Sequence, residues 1–164
     1  MIAQTAPSPA RTGPRPWFVV ANASRASTWL RRTDNPGYDL HRTWDAPDAR
    51  RTNAELGEDR PGRAFSAANA TQRSGIDPED ADATPKGQAQ RDFLKELAAD
   101  LVAAFRAGEI PALYVAAPAP VLHRLREHVP HDLAGLIRGE EAADITQLPT
   151  AAMFERLDAL RRVV

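Results

Sequence analysis

The sequence predicts an α/β fold in which a single mixed β-sheet is packed with three helices. The first observation is that residues 17–44 contain three short apolar or alternating runs separated by turn residues, a pattern typical of antiparallel strands. The second is that helical and strand patterns alternate from residue 84 onward, as they do where strands join one sheet after crossing helices. A chain of 164 residues suits one domain of this kind.

Each of the three N-terminal strands is marked by a different feature. Residues 17–21 read WFVVA, a continuous apolar run that predicts a buried central strand. Residues 26–32 alternate between two faces, and the DNPG turn at 34–37 predicts a third strand at 38–44. Because consecutive strands joined by short turns pair antiparallel, we expect an N-terminal hairpin or meander.

Two segments lack such patterns. Residues 46–84 are dominated by Arg, Asp, Gly, Pro, Ala and Asn, and we expect a long flexible loop there, since unstructured connections of this length in compact domains are usually functional or disordered. Residues 1–16 contain four prolines and no periodicity. They are expected to form a disordered leader before one domain that covers residues 17–164.

Helices and two further strands are predicted after the loop. Thr84 can cap a long helix with Pro85 in its first turn, and Gly108 can end it. The apolar run at 111–117 predicts a buried strand that is parallel to its neighbour, because a helix precedes it. The remaining elements are a short helix at 121–128, a helical turn and an edge strand between 133 and 145, and a final helix at about 150–162.

Composition excludes several classes of function. The chain has no cysteine, which excludes disulfides, thiolate zinc sites and thiol catalysis. The four histidines lack ligand spacing and no dinucleotide or Walker glycine pattern occurs, so we expect no metal and no cofactor. No apolar stretch has the length of a membrane span or of a secretion signal, so we expect a cytoplasmic protein without membrane insertion.

The charge distribution leaves nucleic-acid binding open. The net charge of −1 gives no global field, but residues 1–76 contain 11 basic and 7 acidic side chains. Guanidinium groups bind phosphate oxygens in a bidentate manner, and two arginines flank a Pro-Gly bend at 60–63. The alternative is a local ion-paired turn, because acidic residues lie at 55–59. The candidate RNA- or anion-binding residues are Arg50, Arg51, Arg60, Arg63, Lys86 and Arg91.

Several longer motifs resemble a known family. They are WFVVANASRAS at the first strand, DRPGRAF at 59–65, the segment at 91–129, and DITQLPTAAMFERL at 144–157. On these motifs residues 17–163 resemble the bacterial family of proteins required for attachment to host cells. The chain departs from that family at Gly87 and Gln88, where a His-Glu pair is more usual, and at Ala143, where a Lys is usual.

That family is in turn similar in topology to the middle domain of archaeo-eukaryotic class I release factors. In those factors the Gln backbone amide of a Gly-Gly-Gln loop helps to position water against the peptidyl-tRNA ester and stabilises the oxyanion. The resemblance implies Gly87 and Gln88 as candidate catalytic residues, with Lys86 in place of the first Gly. The alternative is that Gly87 and Gln88 form an ordinary polar start of a helix.

Three hypotheses of function follow from these resemblances. The first is a non-enzymatic cytoplasmic protein with a translation-factor-like domain that acts at ribosomes or RNA. The second is a peptidyl-tRNA ester hydrolase, similar to a release or rescue factor, that uses Gly87 and Gln88. The third is an adaptor that is required only indirectly for attachment to host cells. The sequence favours the first, because Lys86 puts a side chain where the hydrolytic loop has glycine.

Overall fold

A computed structural model gives the structure of the protein and describes residues 14–50 and 84–162. Within these residues, five strands form one mixed sheet and four α-helices pack on it. A 3-10 turn follows the third strand. The strands are β1 (Trp17–Ala21), β2 (Arg25–Arg31), β3 (Tyr38–Asp45), β4 (Leu113–Ala117) and β5 (Ile137–Ala142), and the helices are α1 (Pro85–Arg106), α2 (Ala119–His128), α3 (His131–Ala134) and α4 (Thr150–Arg162).

The strand order is β3-β2-β1-β4-β5, so β1 lies at the centre of the sheet. It pairs antiparallel with β2 and parallel with β4, and Val19 is the partner of Thr28 on one side and of Val115 on the other. All residues of β1 and β4 are buried, as expected for apolar strands with neighbours on both edges and helices on both faces. The predicted α/β class, the antiparallel meander and the parallel strand are confirmed.

The sheet separates two hydrophobic cores. Because successive side chains of a strand point to opposite faces, β1 contributes to both. Trp17, Val19 and Ala21 pack with α1, α2 and α3 in the first core. Phe18 and Val20 pack with the apolar side of α4 in the second.

The bounds of α1 follow from its terminal residues. The Thr84 hydroxyl accepts a hydrogen bond from the Gly87 amide at 3.0 Å, and Pro85 occupies the first turn, where it removes no helical hydrogen bond. Gly108 has a φ of 78°, in the left-handed region that favours glycine after a helix. Between these ends, Leu94, Leu97 and Leu101 recur on one face and are buried against the sheet.

The structure differs from the sequence-based expectation in three details. A fourth helix, α3, forms where a helical turn was predicted, and β4 begins at Leu113, two residues later than expected. The expected loop at 46–84 starts with a 3-10 turn at Pro47–Ala49, which is ordered because Ala49 is buried and its carbonyl accepts from Gln90 Nε2 at 3.4 Å. The rest of that loop (51–83) and most of the expected leader (1–13) lie outside the described residues.

We predict that Leu97→Ala lowers the free energy of unfolding by about 2–5 kcal/mol, because Leu97 is 0 % exposed and its truncation leaves a cavity under the sheet. The matched control is Leu40→Ala, since Leu40 is 55 % exposed on the edge strand β3. This control should change stability by no more than about 0.5 kcal/mol. Urea denaturation of both variants measures the difference, and equal losses would contradict the placement of α1.

Candidate functional site

The predicted catalytic residues lie in the first turn of α1. The Gly87 amide donates to the Thr84 hydroxyl, and the Gln88 amide donates to the Thr84 carbonyl at 2.8 Å. The Gln88 side chain donates to Asp92 at 3.1 Å and accepts from Arg91 at 3.1 Å. Both backbone amides are therefore engaged in starting the helix, whereas an oxyanion needs donors directed at it. Hydrolysis by Gly87 and Gln88 stays a prediction that this geometry does not favour.

The predicted anion-binding residues do not form one site within the described residues. Arg50 is bonded to the Asp45 carboxylate at the end of β3, and Arg25 Nε lies 3.7 Å from the same carboxylate. The hydrogen bond from Arg50 holds the pKa of Asp45 below its ordinary value. Arg91 donates to Gln88 on α1, whose first turn also contains Lys86. Arg51, Arg60 and Arg63 lie outside the described residues.

Three other arginines meet at the amino-terminal end of β1 and β4, where sequence reasoning predicted no site. They surround a cavity of about 190 Å³, which we call the arginine pocket. These arginines come from the segment before β1, the last residue of β2 and the last turn of α4. The lining residues are Arg15, Pro16, Phe18, Arg31, Thr33, Tyr114 and Arg161.

Each side of the arginine pocket is held in place by its own contact. Arg15 Nη1 donates to the Arg31 carbonyl at 2.9 Å, which fixes the segment before β1 against the end of β2. Arg161 follows Leu160, whose buried side chain anchors the end of α4 on the sheet. The rings of Phe18 and Tyr114 stack with their centroids 4.6 Å apart and line the pocket from the sheet.

The electrostatics of the arginine pocket favour an anion. Within the described residues, none of Arg15, Arg31 and Arg161 forms an ion pair, and the Arg161 Nε is shielded from solvent without a hydrogen-bond acceptor. The Asp158 carboxylate, close by on α4, accepts from the Tyr38 hydroxyl at 2.7 Å. Burial, together with Asp158, raises the pKa of Tyr38 well above its ordinary value. Arg31 is exposed, and Arg15 and Arg161 are half-buried, so solvent reaches all three side chains.

At the opposite end of β1, polar side chains form a network in which they are hydrogen-bonded to one another and to backbone amides. Asn22 Oδ1 accepts from the Ser24 and Arg25 amides at 2.9 Å each, and Asn22 Nδ2 donates to Asp144 at 3.2 Å and to Thr146 at 3.0 Å. Burial raises the pKa of Asp144, but hydrogen bonds from Thr146 and Asn22 outweigh it and leave the pKa below its ordinary value. This network ties the turn after β1 to the segment before α4.

Two further findings concern the described residues. No group of three or more His, Asp or Glu side chains in the described ranges converges so that it could hold a metal ion. None of the helices in the same ranges is both long and apolar enough to cross a bilayer.

The fold is an α/β domain with an arginine-lined pocket at the amino-terminal end of its central strands. The model of the family described as "Protein required for attachment to host cells" matches residues 17–157, and the chain belongs to that family. The resemblance drawn from the sequence motifs is confirmed. No curated protein matches the chain.

Among solved structures, the chain is similar to the crystal structure of an archaeal translation termination factor. The TM-score is 0.43 and the sequence identity is 10%. The match covers 88% of this chain and 38% of the factor, so the chain spans well under half the length of that protein. A similarity of this size supports no inference about function.

We predict that Thr84→Ala lowers the free energy of unfolding by about 0.5–2 kcal/mol, because the Gly87 amide loses its acceptor at the start of α1. Thr84→Ser is the matched control, since it keeps a hydroxyl in the same place and should retain most of the stability. Thermal unfolding followed by circular dichroism measures both. Equal destabilisation by the two substitutions would contradict a capping role for the hydroxyl.

Proposed function

We propose that this member of the host-attachment family is a non-enzymatic, cytoplasmic RNA-binding protein that acts at ribosomes and contributes to attachment indirectly. The observation that carries the proposal is the arginine pocket, which three arginines line without a carboxylate among the lining residues. Such a site is complementary to phosphate, the group that dominates affinity for nucleic acids.

The choice of arginine supports phosphate as the ligand. A guanidinium group presents planar, forked donors that match the oxygens of a phosphate, and it is more weakly hydrated than an ammonium group. The chain as a whole has a net charge of −1, so a polyanion would be attracted locally and not by a general positive field. The contact is therefore expected to be confined to one end of the sheet.

The aromatic residues that line the arginine pocket favour contacts to phosphate over stacking of bases. Phe18 and Tyr114 are both buried in the sheet, so neither presents a free face on which a base could stack. The exposed lining residue Thr33 donates from its hydroxyl to the Asp34 carboxylate at 3.2 Å. Contacts to phosphates alone position a nucleic acid without reading its sequence.

We predict that the protein binds a single-stranded RNA of about 20 nucleotides with an affinity that falls steeply as salt rises. The double variant Arg31→Gln/Arg161→Gln should bind at least tenfold more weakly at low salt. Its slope of log affinity against log salt should be smaller by roughly 1.4, about 0.7 for each lost phosphate contact. Fluorescence anisotropy measures both quantities.

The matched control for that experiment is Arg106→Gln. Arg106 is an exposed arginine at the end of α1, a helix that packs on the other face of the sheet. The substitution removes one positive charge and leaves the residues of the arginine pocket unchanged. The affinity of this variant for RNA should therefore stay close to that of the unmodified chain. The control removes one positive charge and the double variant removes two, so a loss in the control about half as large as that in the double variant would assign RNA binding to overall charge. Unchanged affinity in the double variant would refute the proposed site.

We predict further that the tagged chain sediments with ribosomal particles in a sucrose gradient and shifts to the top of the gradient after ribonuclease treatment. The double variant Arg31→Gln/Arg161→Gln should remain at the top in both conditions. Cell fractionation tests the proposed location in parallel. A chain found in the ribosome-free fractions at low salt, or mainly outside the inner membrane, would contradict this part of the proposal.

A further inference from the structure

The outer edge of β3 has no strand beside it among the described residues. The strand order places β3 at one end of the sheet, next to β2 alone. Its eight residues include Leu40, a large apolar side chain that is 55 % exposed, and contain no proline. An open edge of this length, with an exposed apolar side chain, is a template on which another strand can pair.

The backbone groups of β3 that face outward follow from those that face β2. The Gly37 carbonyl accepts from the Arg32 amide at 2.9 Å, and the Ala46 amide donates to the Ser24 carbonyl at 2.8 Å. Successive residues of a strand direct their N–H and C=O groups to opposite edges. Counting inward from Gly37 and from Ala46, the residues that direct these groups away from β2 are Tyr38, Leu40, Thr43 and Asp45.

A β-bulge divides β3 into two halves. Trp29 of β2 pairs with Leu40, whereas its neighbour Thr28 pairs with Arg42, so His41 is an extra residue without a partner of its own on β2. The bulge lies at the middle of the strand. The four outward-facing residues are therefore arranged symmetrically about it, two on each side.

This symmetry favours a second copy of β3 as the neighbouring strand. A regular strand would have to accommodate the extra residue as another bulge, whereas an antiparallel copy of β3 carries the same extra residue at the same point. Leu40 then lies opposite Thr43 of the copy, and Tyr38 lies opposite Asp45. Each of these pairs consists of two outward-facing residues, so its members can exchange both N–H···O bonds.

The charges along β3 do not oppose a second copy. Sheet edges that avoid pairing commonly present charged side chains to an approaching strand. Here each Asp and Arg of β3 has an ion-pair partner in its own chain. The pairs are Asp39 with Arg32, Arg42 with Glu109, and Asp45 with Arg50. The net charge of −1 for the whole chain adds only weak repulsion between two copies.

From the open edge, the central bulge and the exposed Leu40, we infer that two copies of this chain associate through antiparallel pairing of β3 with β3. The pairing joins two five-stranded sheets into one continuous sheet with a two-fold axis at the bulge. Because this axis is perpendicular to the sheet, both α4 helices lie on one face and both α1 helices on the other. No residue of β3 lines the arginine pocket, so this inference does not rest on the proposed function.

Analytical ultracentrifugation of the full chain over a range of concentrations tests the association. A contact one strand wide is smaller than a standard interface, so the chain should be dimeric at about 100 μM and monomeric at about 1 μM. Thr43→Pro removes an N–H on the outer edge, where proline is tolerated, and should raise the dissociation constant about tenfold or more. Thr43→Val is the matched control, since it keeps this N–H and the branched side chain, and it should associate as the unmodified chain does.

Introduced cysteines test the register without the proline variant. The chain has no cysteine of its own, so each introduced thiol reports a single position. Opposed residues of a hydrogen-bonded antiparallel pair have Cα atoms about 5.5 Å apart, within the range that a disulfide bridges. A mixture of Leu40→Cys and Thr43→Cys chains should therefore form the mixed disulfide well above the share expected of random pairing, because like positions are offset along the two strands.

Three outcomes would overturn the inference. The first is a chain that stays monomeric over the whole concentration range. The second is association that persists in Thr43→Pro while circular dichroism shows that this variant is folded, since pairing through the outer edge of β3 needs that N–H. The third is a disulfide that forms mainly between like positions in the cysteine mixture, and this result decides the matter even if Thr43→Pro does not fold.

Discussion

The burial of β1 on both faces and along both edges is the constraint on which the remaining structure depends. The five consecutive residues of this strand are all apolar and buried. Helices therefore cover both faces of the strand, and a neighbouring strand pairs with each of its edges. Its alternating side chains then begin two separate cores, one with Trp17 and Val19 and the other with Phe18 and Val20. Polar chemistry can appear only at the two ends of the strand.

The two ends of β1 differ in how many of their polar groups have hydrogen-bond or ion-pair partners. At the carboxyl end, Asn22 has hydrogen bonds at both its oxygen and its nitrogen, and Asp144 accepts from its neighbours. At the amino end, no carboxylate is among the residues that line the arginine pocket, although Asp158, Arg31 and Arg161 all lie close enough to Tyr38 to shift its pKa. Ligand binding is expected where the fold leaves charge uncompensated.

Most of the fold was predictable because its signals are local. The apolar run of β1, the Thr84 cap with Pro85, Gly108 and the periodicity of residues 150–162 each specify an element without reference to distant residues. The sequence-based prediction missed elements whose formation depends on tertiary contacts. The 3-10 turn at Pro47–Ala49 is ordered because Ala49 is buried and bonded to Gln90 on α1, and no pattern in the polar segment around it indicates that contact.

The arginine pocket could not be predicted for the same reason. Arg15 was assigned to the leader, Arg31 to the end of a strand and Arg161 to the polar side of a helix, and no spacing connects them. Only the parallel pairing of β1 with β4, together with α4 lying across them, brings the three side chains to one cavity.

The candidate site residues that the sequence did predict lie away from the arginine pocket. Gly87 and Gln88 use their amides to begin α1, and Arg50 is neutralised by Asp45. The local ion-paired turn, left open as the alternative at Arg60 and Arg63, lies outside the described residues and stays a prediction. A motif identifies residue types, whereas a binding site depends on how the fold places their side chains, and the arginine pocket combines three arginines from distant segments of the sequence.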